Sequence, residues 1–386
     1  MKGNGTANRE RILIENSGEN HTIRGEDKGV GMITSFKPGK PWKDTEGKPI
    51  QAHGFTVVHR DGLYYWFGEN KEFTKKGGKV WHWGVRCYTS EDLYNWEDRG
   101  LIIPPAEGDL KSPLHPTYCM DRPHILYCEK TGKYVAWLKI MAGGDNHECQ
   151  FMSVLQASSF WGPYSFVRKI YKPLSMDTGD FTLTETGGKA YILFERPHFE
   201  MICATLTEDY TAVTGEYSVH YENLKPPYTR EAPVFFEYEG RKYLFSSGTS
   251  GYYPNRSTVA EIGDMHGEYK DLGDPCVGDK TDTTFNSQIT CVLRVPGRKL
   301  CIAMADRWMP GGMIPKMSGM IIRGMEKHFR DYVPDRSPKE AQPLPEQEST
   351  HGENTYKSTY VWLPVLWRDG KPVLEWKKEW RWEDYD

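Results

Sequence analysis

The stretch DGLYYWFGEN at residues 61–70 contains the pattern that decides the fold. A glycine in a turn precedes a short apolar run that is rich in tyrosine. The same phrase returns four times, as TGKYVAWLK (131–139), TGGKAYILFE (186–195), EGRKYLFSSG (239–248) and PGRKLCIAMADRW (296–308). Glycine supplies the positive φ of a hairpin turn, and the run that follows is typical of a strand. The glycines Gly62, Gly132, Gly188, Gly240 and Gly297 are separated by 70, 56, 52 and 57 residues.

A second phrase follows some of these repeats, as YTSEDLYNWEDRG (88–100), ASSFWGPYSF (157–166) and AEIGDMHGEYKDLG (260–273). Repeats of this length, each with alternating turns and strands, predict propeller blades of about four strands. Five repeats therefore predict an all-β, five-bladed β-propeller in a single domain over residues 31–386. The last hairpin, residues 359–382 with RDGK as its turn, is expected to complete the ring. A doubly wound α/β fold is the weaker alternative, because no amphipathic helices alternate with the strands.

Two segments do not fit the repeat. Residues 1–30 are polar and glycine-rich, so we predict a flexible N-terminal arm. Residues 335–358 are charged, rich in proline and without periodicity, so we predict a surface loop of the propeller. The 38 Gly, 25 Pro, 13 Trp and 23 Tyr in 386 residues suit short strands joined by tight turns. Surplus aromatic rings also suit sugar binding.

Charge and hydropathy exclude two classes of partner. The formal net charge of −4 argues against nucleic acid. No apolar run approaches the roughly 18 residues of a membrane span. The first 30 residues lack the apolar region of a signal peptide, and the eight cysteines show no metal-binding spacing. These features favour a cytoplasmic protein with buried free thiols; secretion after removal of a signal peptide is the alternative.

Polar residues occupy equivalent positions before the repeat glycines. Asp121, Asp180, Glu231 and Gln288 precede their glycines by 11, 8, 9 and 9 residues. Because equivalent positions of successive blades face one axis, these side chains should converge in a central funnel. Several converging acids are what glycoside hydrolysis requires: a proton donor with a raised pKa, and negative charge near the reacting carbon. The alternative is that each acid only caps a turn.

These phrases resemble glycoside hydrolase family 43, in its group of exo-β-1,3-galactanases. The similarity covers roughly residues 40–310, and its most specific motifs are AHG (52–54), DRP (121–123) and REAP (230–233). It implies a five-bladed propeller and inversion at the anomeric carbon. It also implies that Glu231 is the general acid, Asp180 the modulator of its pKa, Asp121 a substrate contact and Gln288 an unusual base.

The chain departs from the family pattern in the first blade. Most family members have a catalytic-base Asp there, whereas this chain has His53. The galactanase group shares the absence of that Asp. An amide accepts a proton only through its imidic tautomer, so Gln288 is alternatively a residue that orients water. Asp121 stands where that group commonly has Glu, and Phe55 replaces the usual glycine after AHG, which would narrow a pocket that it lines.

The remaining candidates are substrate contacts. His53 and Glu69 are expected to line the funnel from the first blade, although structural hydrogen bonding is the alternative for Glu69. The aromatic candidates for a sugar platform are Tyr252, Tyr253 and Trp308. We predict no cofactor and no metal in the reaction. The resemblance allows a structural Ca²⁺ on the axis, but the sequence contains no acidic cluster of the EF-hand type.

Together these observations predict an inverting, exo-acting hydrolase that releases terminal galactose from β-1,3-linked galactan or related glycans. Its partner is an oligosaccharide or polysaccharide. An α-L-arabinofuranosidase or β-galactofuranosidase of the same family is one alternative. A propeller that binds glycan without cleaving it is another, and a protein-interaction propeller is the weakest.

Overall fold

The computed structural model of the chain describes residues 31–143, 149–345 and 350–385. It confirms the predicted five-bladed β-propeller, because the strands form five sheets that follow one another along the chain. The predicted N-terminal arm, residues 1–30, lies outside the described residues. Residues 335–345 of the predicted surface loop contain no helix or strand, whereas His351 and Thr355 further along it are buried.

Four blades are four-stranded antiparallel meanders, and the fifth has an additional short strand. Blade I contains β1 (His53–Arg60), β2 (Leu63–Glu69), β3 (Val85–Ser90) and β4 (Glu97–Ile103). Blade II contains β5 (Cys119–Cys128), β6 (Lys133–Ala142), β7 (Cys149–Ala157) and β8 (Ser165–Tyr171). Blade III contains β9 (Phe181–Thr186), β10 (Lys189–Arg196), β11 (Glu200–Leu206) and β12 (Val213–His220). Blade IV contains β13 (Arg230–Tyr238), β14 (Arg241–Gly248), β15 (Thr258–Ile262) and β16 (Tyr269–Gly273). Blade V contains β17 (Cys276–Val277), β18 (Gln288–Arg294), β19 (Cys301–Arg307), β20 (Thr359–Arg368) and β21 (Lys371–Glu375).

One helix, α1 (Ile314–His328), is inserted between β19 and β20. The sequence pattern does not predict it, because Gly319 and Gly324 interrupt the segment. Only Ser318 of this helix is buried, so α1 lies on the surface of the propeller. Single 3₁₀ turns are formed by Pro173–Ser175, Thr355–Lys357 and Trp382–Asp384.

The five repeat glycines occupy equivalent turns, as predicted. In blades I to IV the glycine lies between the first and second strands, and in blade V it lies between β18 and β19; φ is between 64° and 81° in all five. The turns at Gly62, Gly188 and Gly240 contain two residues. At Gly62, for example, Arg60 pairs with Leu63, and both Asp61 and Gly62 have positive φ. This geometry is that of a type I′ hairpin, which matches the twist of the strands.

The first strands of blades I, II and IV are irregular where they enter the funnel. In β1, β5 and β13 the pairing register shifts directly after His53, Asp121 and Glu231. The next residues, Gly54, Arg122 and Ala232, have φ of 52°, 48° and 50°. A bulge re-aims the side chain beside it. The repeated bulge therefore places a polar side chain from each of blades I, II and IV at the same end of the ring.

The ring closes between blades I and V through a cluster of aromatic residues. Trp66 of blade I lies 4.7 Å from Trp362 of blade V between ring centroids. Beside them the segment before blade I pairs with the segment after blade V: the backbone N–H of Phe36 donates to Trp380 at 2.8 Å, and Trp380 donates back at 3.1 Å. Both ends of the propeller are thus fixed to the same core.

Two further observations concern membranes and thiols. No helix in the described part of the chain is long and apolar enough to cross a membrane. All eight cysteines belong to that part and none is in a disulfide; seven are buried and Cys149 is partly exposed.

Candidate active site

A cavity of about 350 Å³ opens at the end of the ring where the first strands begin. Each blade contributes a polar side chain to its wall: Glu69, Asp121, Asp180, Glu231 and Gln288, from blades I to V in that order. The four residues that the sequence places in register therefore do meet in one funnel. The volume is at the small end of the range for ligand pockets, which suits a single terminal sugar.

Glu231 is buried in this wall at the start of β13. Its Oε1 accepts a hydrogen bond of 3.1 Å from Nε2 of Gln288. Burial, and then the negative charges of Asp180 and Glu195, raise the pKa of Glu231 well above the ordinary value. Glu231 therefore keeps its proton to a higher pH than an ordinary glutamic acid does, as the role of general acid requires.

Asp180 has the opposite electrostatic environment. Its Oδ2 lies 2.7 Å from Nε of Arg122, and its Oδ1 lies 2.9 Å from Nζ of Lys139. Burial alone would raise the pKa of Asp180, but the two cations outweigh it and hold that pKa below the usual value. The pKa values of two carboxyl groups in one funnel, Glu231 and Asp180, are thus shifted from their ordinary values in opposite directions. Acid–base sites are recognised by this pattern.

Asp121 and Glu69 form a second carboxyl pair around Lys71. Nζ of Lys71, which is completely buried, lies 2.7 Å from Oε2 of Glu69 and 3.4 Å from Oδ1 of Asp121. Burial raises the pKa of Glu69 to about 8, although Lys71 opposes the shift. Burial would also raise the pKa of Asp121, but Lys71 and Lys139 hold it below its ordinary value. Asp121 is therefore the ionised member of the pair.

Gln288 is fixed by four hydrogen bonds. Its Oε1 accepts from Nη2 of Arg122 at 2.9 Å and from Nε1 of Trp308 at 3.0 Å. Its Nε2 donates to Glu231 and, at 3.1 Å, to Oγ of Ser247. In the imidic tautomer the oxygen would carry a proton, yet both of its neighbours are donors. These contacts favour the ordinary amide, which positions Glu231.

The aromatic candidates separate into two groups. Tyr252 and Trp308 line the cavity, with their rings 5.4 Å apart. Tyr253 does not; it lines a smaller neighbouring cavity behind Tyr252. Phe55 also lies outside the wall, because its ring is buried in the core 5.1 Å from Trp66.

His53 differs from the expectation that it lines the funnel. Its side chain is completely buried, with Nδ1 2.9 Å from Oδ1 of Asp306 and the ring stacked 5.0 Å from that of Tyr360. The residue stands at the same strand position as Asp121 and Glu231, but Tyr360 and Trp308 pack against its ring. Its function in this geometry is to hold Asp306, which also accepts from the backbone N–H of Gly54 at 2.9 Å.

In and around the funnel, residues that the sequence analysis does not name share a register with Glu69, which it does name. The residues paired with the first-strand positions on the second strands are Glu69, Lys139, Glu195, Ser247 and Asp306. The first four lie seven residues after their repeat glycine and the last lies nine after it. A polar residue that regularly ends the apolar run is thus a signal for the second layer of the site. Arg122 is visible in the sequence only as the middle residue of DRP.

Glu195 and His198 form a pair near Glu231. Oε1 of Glu195 accepts from the backbone N–H of His198 at 2.9 Å and lies 3.0 Å from its Nδ1. Burial lowers the pKa of His198, but Glu195 reverses the effect, so the pKa lies above its usual value. Gly179 is required here, because a Cβ at that position would lie 2.1 Å from Oε2 of Glu195.

Glu195, His198 and Glu231 are also the residues to consider for the structural Ca²⁺ that the family resemblance suggests. Within the described residues, one group brings three potential ligand atoms within 4.8 Å of one another: Glu195, His198 and Glu231. Ca²⁺ prefers six to eight oxygen ligands. This group offers two carboxylates and an imidazole, and the positive charges of Lys139 and Arg122 act on Glu231. It does not fit a calcium site.

The funnel and its fold define a class of protein, a propeller with an acid–base site at its axis. A family model, glycosyl hydrolases family 43, matches residues 48–288. Since the match covers more than half of the chain, the protein belongs to this family of glycoside hydrolases. No curated protein sequence matches the chain.

Solved structures support the same assignment. A family 43 β-1,3-galactosidase, BT0265, is 29% identical with a TM-score of 0.72, over 91% of this chain and 64% of that one. The chain thus spans less than two thirds of the length of BT0265. A second, BT3683, solved with galactodeoxynojirimycin, is 26% identical with a TM-score of 0.70, over 90% of this chain and 100% of the other. An exo-β-1,3-galactanase from Phanerochaete chrysosporium, solved with β-1,3-galactotriose, shares the fold at 24% identity and a TM-score of 0.69, over 90% and 68% of the two chains.

Proposed function

We propose that the protein is an inverting, exo-acting β-galactosidase that releases terminal galactose from β-1,3-linked galactan. The observation that carries this proposal is a pair of carboxyl groups in a pocket sized for one sugar: the pKa of Glu231 is raised well above its ordinary value, and that of Asp180 is held below it. The likeness to two β-1,3-galactosidases above 25% identity supports galactose as that sugar. The small pocket supports removal of one unit from a chain end.

In the proposed reaction Glu231 gives its proton to the glycosidic oxygen as the bond between that oxygen and the anomeric carbon breaks. Water attacks the same carbon from the opposite face and loses a proton to a base. The positive charge that develops on the sugar is stabilised by the carboxylates of the funnel. Asp180 keeps Glu231 protonated through its charge, and Arg122 and Lys139 keep Asp180 ionised.

The base must be on the far side of the sugar from Glu231. In inverting enzymes the two groups lie roughly 6.5–9.5 Å apart, which leaves room for the water. Gln288 hydrogen-bonds to Glu231 at 3.1 Å, so its contacts support a positioning role. We assign the base to Asp121, which lines the cavity two blades away from Glu231 and is ionised.

This assignment is tested by comparing Asp121→Asn with Gln288→Ala. If Asp121 is the base, Asp121→Asn lowers kcat by about 10²–10⁴-fold, and azide restores turnover by replacing the activated water. Gln288→Ala shifts the pH profile of the acid but gains nothing from azide. Azide rescue of Gln288→Ala, with none for Asp121→Asn, would return the base to Gln288.

The substrate is tested with 4-nitrophenyl glycosides and short β-1,3-galactans. We expect hydrolysis of the β-galactopyranoside and stepwise release of galactose from the non-reducing end. Faster hydrolysis of the α-L-arabinofuranoside or β-galactofuranoside would favour the neighbouring activities of the family. Binding of galactan without any product would favour the non-catalytic alternative.

A further inference from the structure

A basic groove lies between helix α1 and the segment at residues 225–228. We propose that this groove binds an anionic sugar substituent, a carboxylate or a sulfate ester, on the leaving-group side of the substrate. The inference rests on the proposed function and adds a preference for acidic glycans to it.

The groove has a volume of about 600 Å³ and a strong excess of positive charge. Lys225 and three residues in and after the helix, Arg323, Lys327 and Arg330, line it, and Glu326 is the one acidic lining residue. Four cations therefore face one carboxylate, in a protein whose overall charge is negative. Exposed charges of one sign in a concave surface attract the opposite sign and select ligands that carry it.

Besides the charged side chains, the groove contains an aromatic ring that can contact a sugar, that of Tyr228. Its side chain lines the groove with 49% of its surface exposed. The phenol of Tyr228 forms a hydrogen bond with Glu326. Burial, and then the charge and hydrogen bond of Glu326, raise the pKa of Tyr228. An aromatic ring beside guanidinium groups can contact the apolar face of a sugar while the cations contact its acidic group.

The groove is next to the catalytic cavity. Met325 of α1 lines the cavity, whereas Arg323 and Glu326 of the same helix line the groove. On the other side, Tyr228 lies three residues before Glu231. The hydroxyl groups of Thr229 and Thr249 lie 2.7 Å apart, and Thr249 lines the cavity. Helix α1 thus lines both spaces, and the segment that lines the groove leads directly into β13, whose Glu231 lines the cavity.

The chemistry decides which end of the substrate reaches the groove. Glu231 protonates the glycosidic oxygen, so the departing part of the glycan is on the Glu231 side of the cavity. Blade IV and α1 form that side. The second and later sugars, or branches on them, therefore pass the groove while the terminal galactose fills the pocket.

Three β-1,3-galacto-oligosaccharides test the proposal: one with a glucuronic acid branch, its carboxyl-reduced neutral form, and one with a sulfate ester. We expect a kcat/KM about tenfold higher for at least one anionic substrate than for the neutral one, as several exposed ion pairs would give. Preference for one anionic substrate over the other identifies the source of the charge. The triple variant Arg323→Gln, Lys327→Gln, Arg330→Gln should lose the preference and keep its rate on the neutral substrate. Lys316→Gln, which removes a charge from the same helix outside the groove, should keep both.

Equal kcat/KM for all three substrates in the wild-type protein would overturn the proposal, as would a preference that survives in the triple variant. Hydrolysis of 4-nitrophenyl β-galactoside is measured alongside, because it needs no sugar on the leaving-group side. If neither this compound nor any oligosaccharide is cleaved, the proposed function fails. In that case, calorimetric titration of the same three oligosaccharides into the wild-type and triple-variant proteins measures directly whether the groove binds the anionic substituent.

Discussion

Glu231 is the residue on which the proposed chemistry depends most directly. Glu231→Gln keeps the shape and removes the acidic proton, so we expect a loss of about 10²–10⁴-fold in kcat. The loss should be greatest for natural disaccharides and smallest for aryl glycosides, whose leaving groups need no proton. Glu237→Gln, an exposed change on the same strand, is the control and should retain activity. Equal losses on both kinds of substrate would contradict the acid role.

Asp180 sets the pH range in which that acid works. Its negative charge raises the pKa of Glu231, and activity requires the protonated form. Asp180→Asn therefore lowers that pKa, so the fall of kcat/KM on the alkaline side moves to lower pH. The same change leaves Arg122 and Lys139 without their shared carboxylate and should cost about 3–5 kcal/mol of stability. The control is Asp177→Asn, a nearby carboxylate paired with Lys172; an alkaline limb in Asp180→Asn that matches this control would contradict the role.

At the scale of the strand, the bulge in β1 depends on a glycine for two reasons. Gly54 has φ of +52°, and a Cβ there would lie 2.0 Å from Oε1 of Glu69. That oxygen cannot move freely, because it accepts from the backbone N–H of Arg122 at 2.9 Å. Gly62, in the first hairpin turn, also has positive φ, but no atom lies within 4 Å of the position that a Cβ would take there.

We therefore expect Gly62→Ala to cost about 1–2 kcal/mol, the strain of the left-handed backbone alone. Gly54→Ala should lower the free energy of unfolding further, because the added Cβ would also displace Glu69 from its buried ion pair with Lys71. Urea unfolding of both variants, with unchanged slopes, measures the difference. Equal losses of unfolding free energy in the two variants would mean that the Glu69 side chain can move away from a Cβ at position 54, contrary to this account.

Sequence patterns differ in what they reveal about these elements. The hairpins could be predicted, because a positive φ restricts the turn to glycine and leaves a visible repeat. The polar residues of the second strands, such as Lys139 and Glu195, show a weaker signal, because each ends an apolar run and reads as an ordinary strand end. Helix α1 could not be predicted, since Gly319 and Gly324 oppose a helix and only one of its residues is buried.

For the whole molecule, closure of the ring depends on the C-terminal segment. Trp380 is 5% exposed, its ring lies 4.5 Å from that of Phe36, and its Nε1 donates to the carbonyl of Trp362 at 2.9 Å. Trp380→Ala should lower the free energy of unfolding by about 3–5 kcal/mol. Trp376→Ala, four residues earlier and 39% exposed, is the matched control and should cost about 1 kcal/mol. A small loss for Trp380→Ala would show that the ring does not need this contact.

The whole fold was more predictable than the site. Repeats fix the number of blades, and similar distances from the repeat glycines bring Asp121, Asp180, Glu231 and Gln288 to one axis. The register does not say which side chain faces the sugar: His53 shares it, yet Tyr360 and Trp308 cover its ring. Nor does it give the hydrogen bonds of Gln288, because Arg122 reaches that amide from another blade. Because those hydrogen bonds hold Gln288 in its ordinary amide form, we assign the base to Asp121 instead.

Inversion at a β-galactosidic bond is the central feature of the proposed reaction. Proton NMR of β-1,3-galactobiose mixed with the protein measures it directly, if spectra are taken before the released sugar mutarotates. We expect α-galactose as the first new anomer, with the β-anomer following only by mutarotation. First appearance of β-galactose would contradict the assigned acid and base.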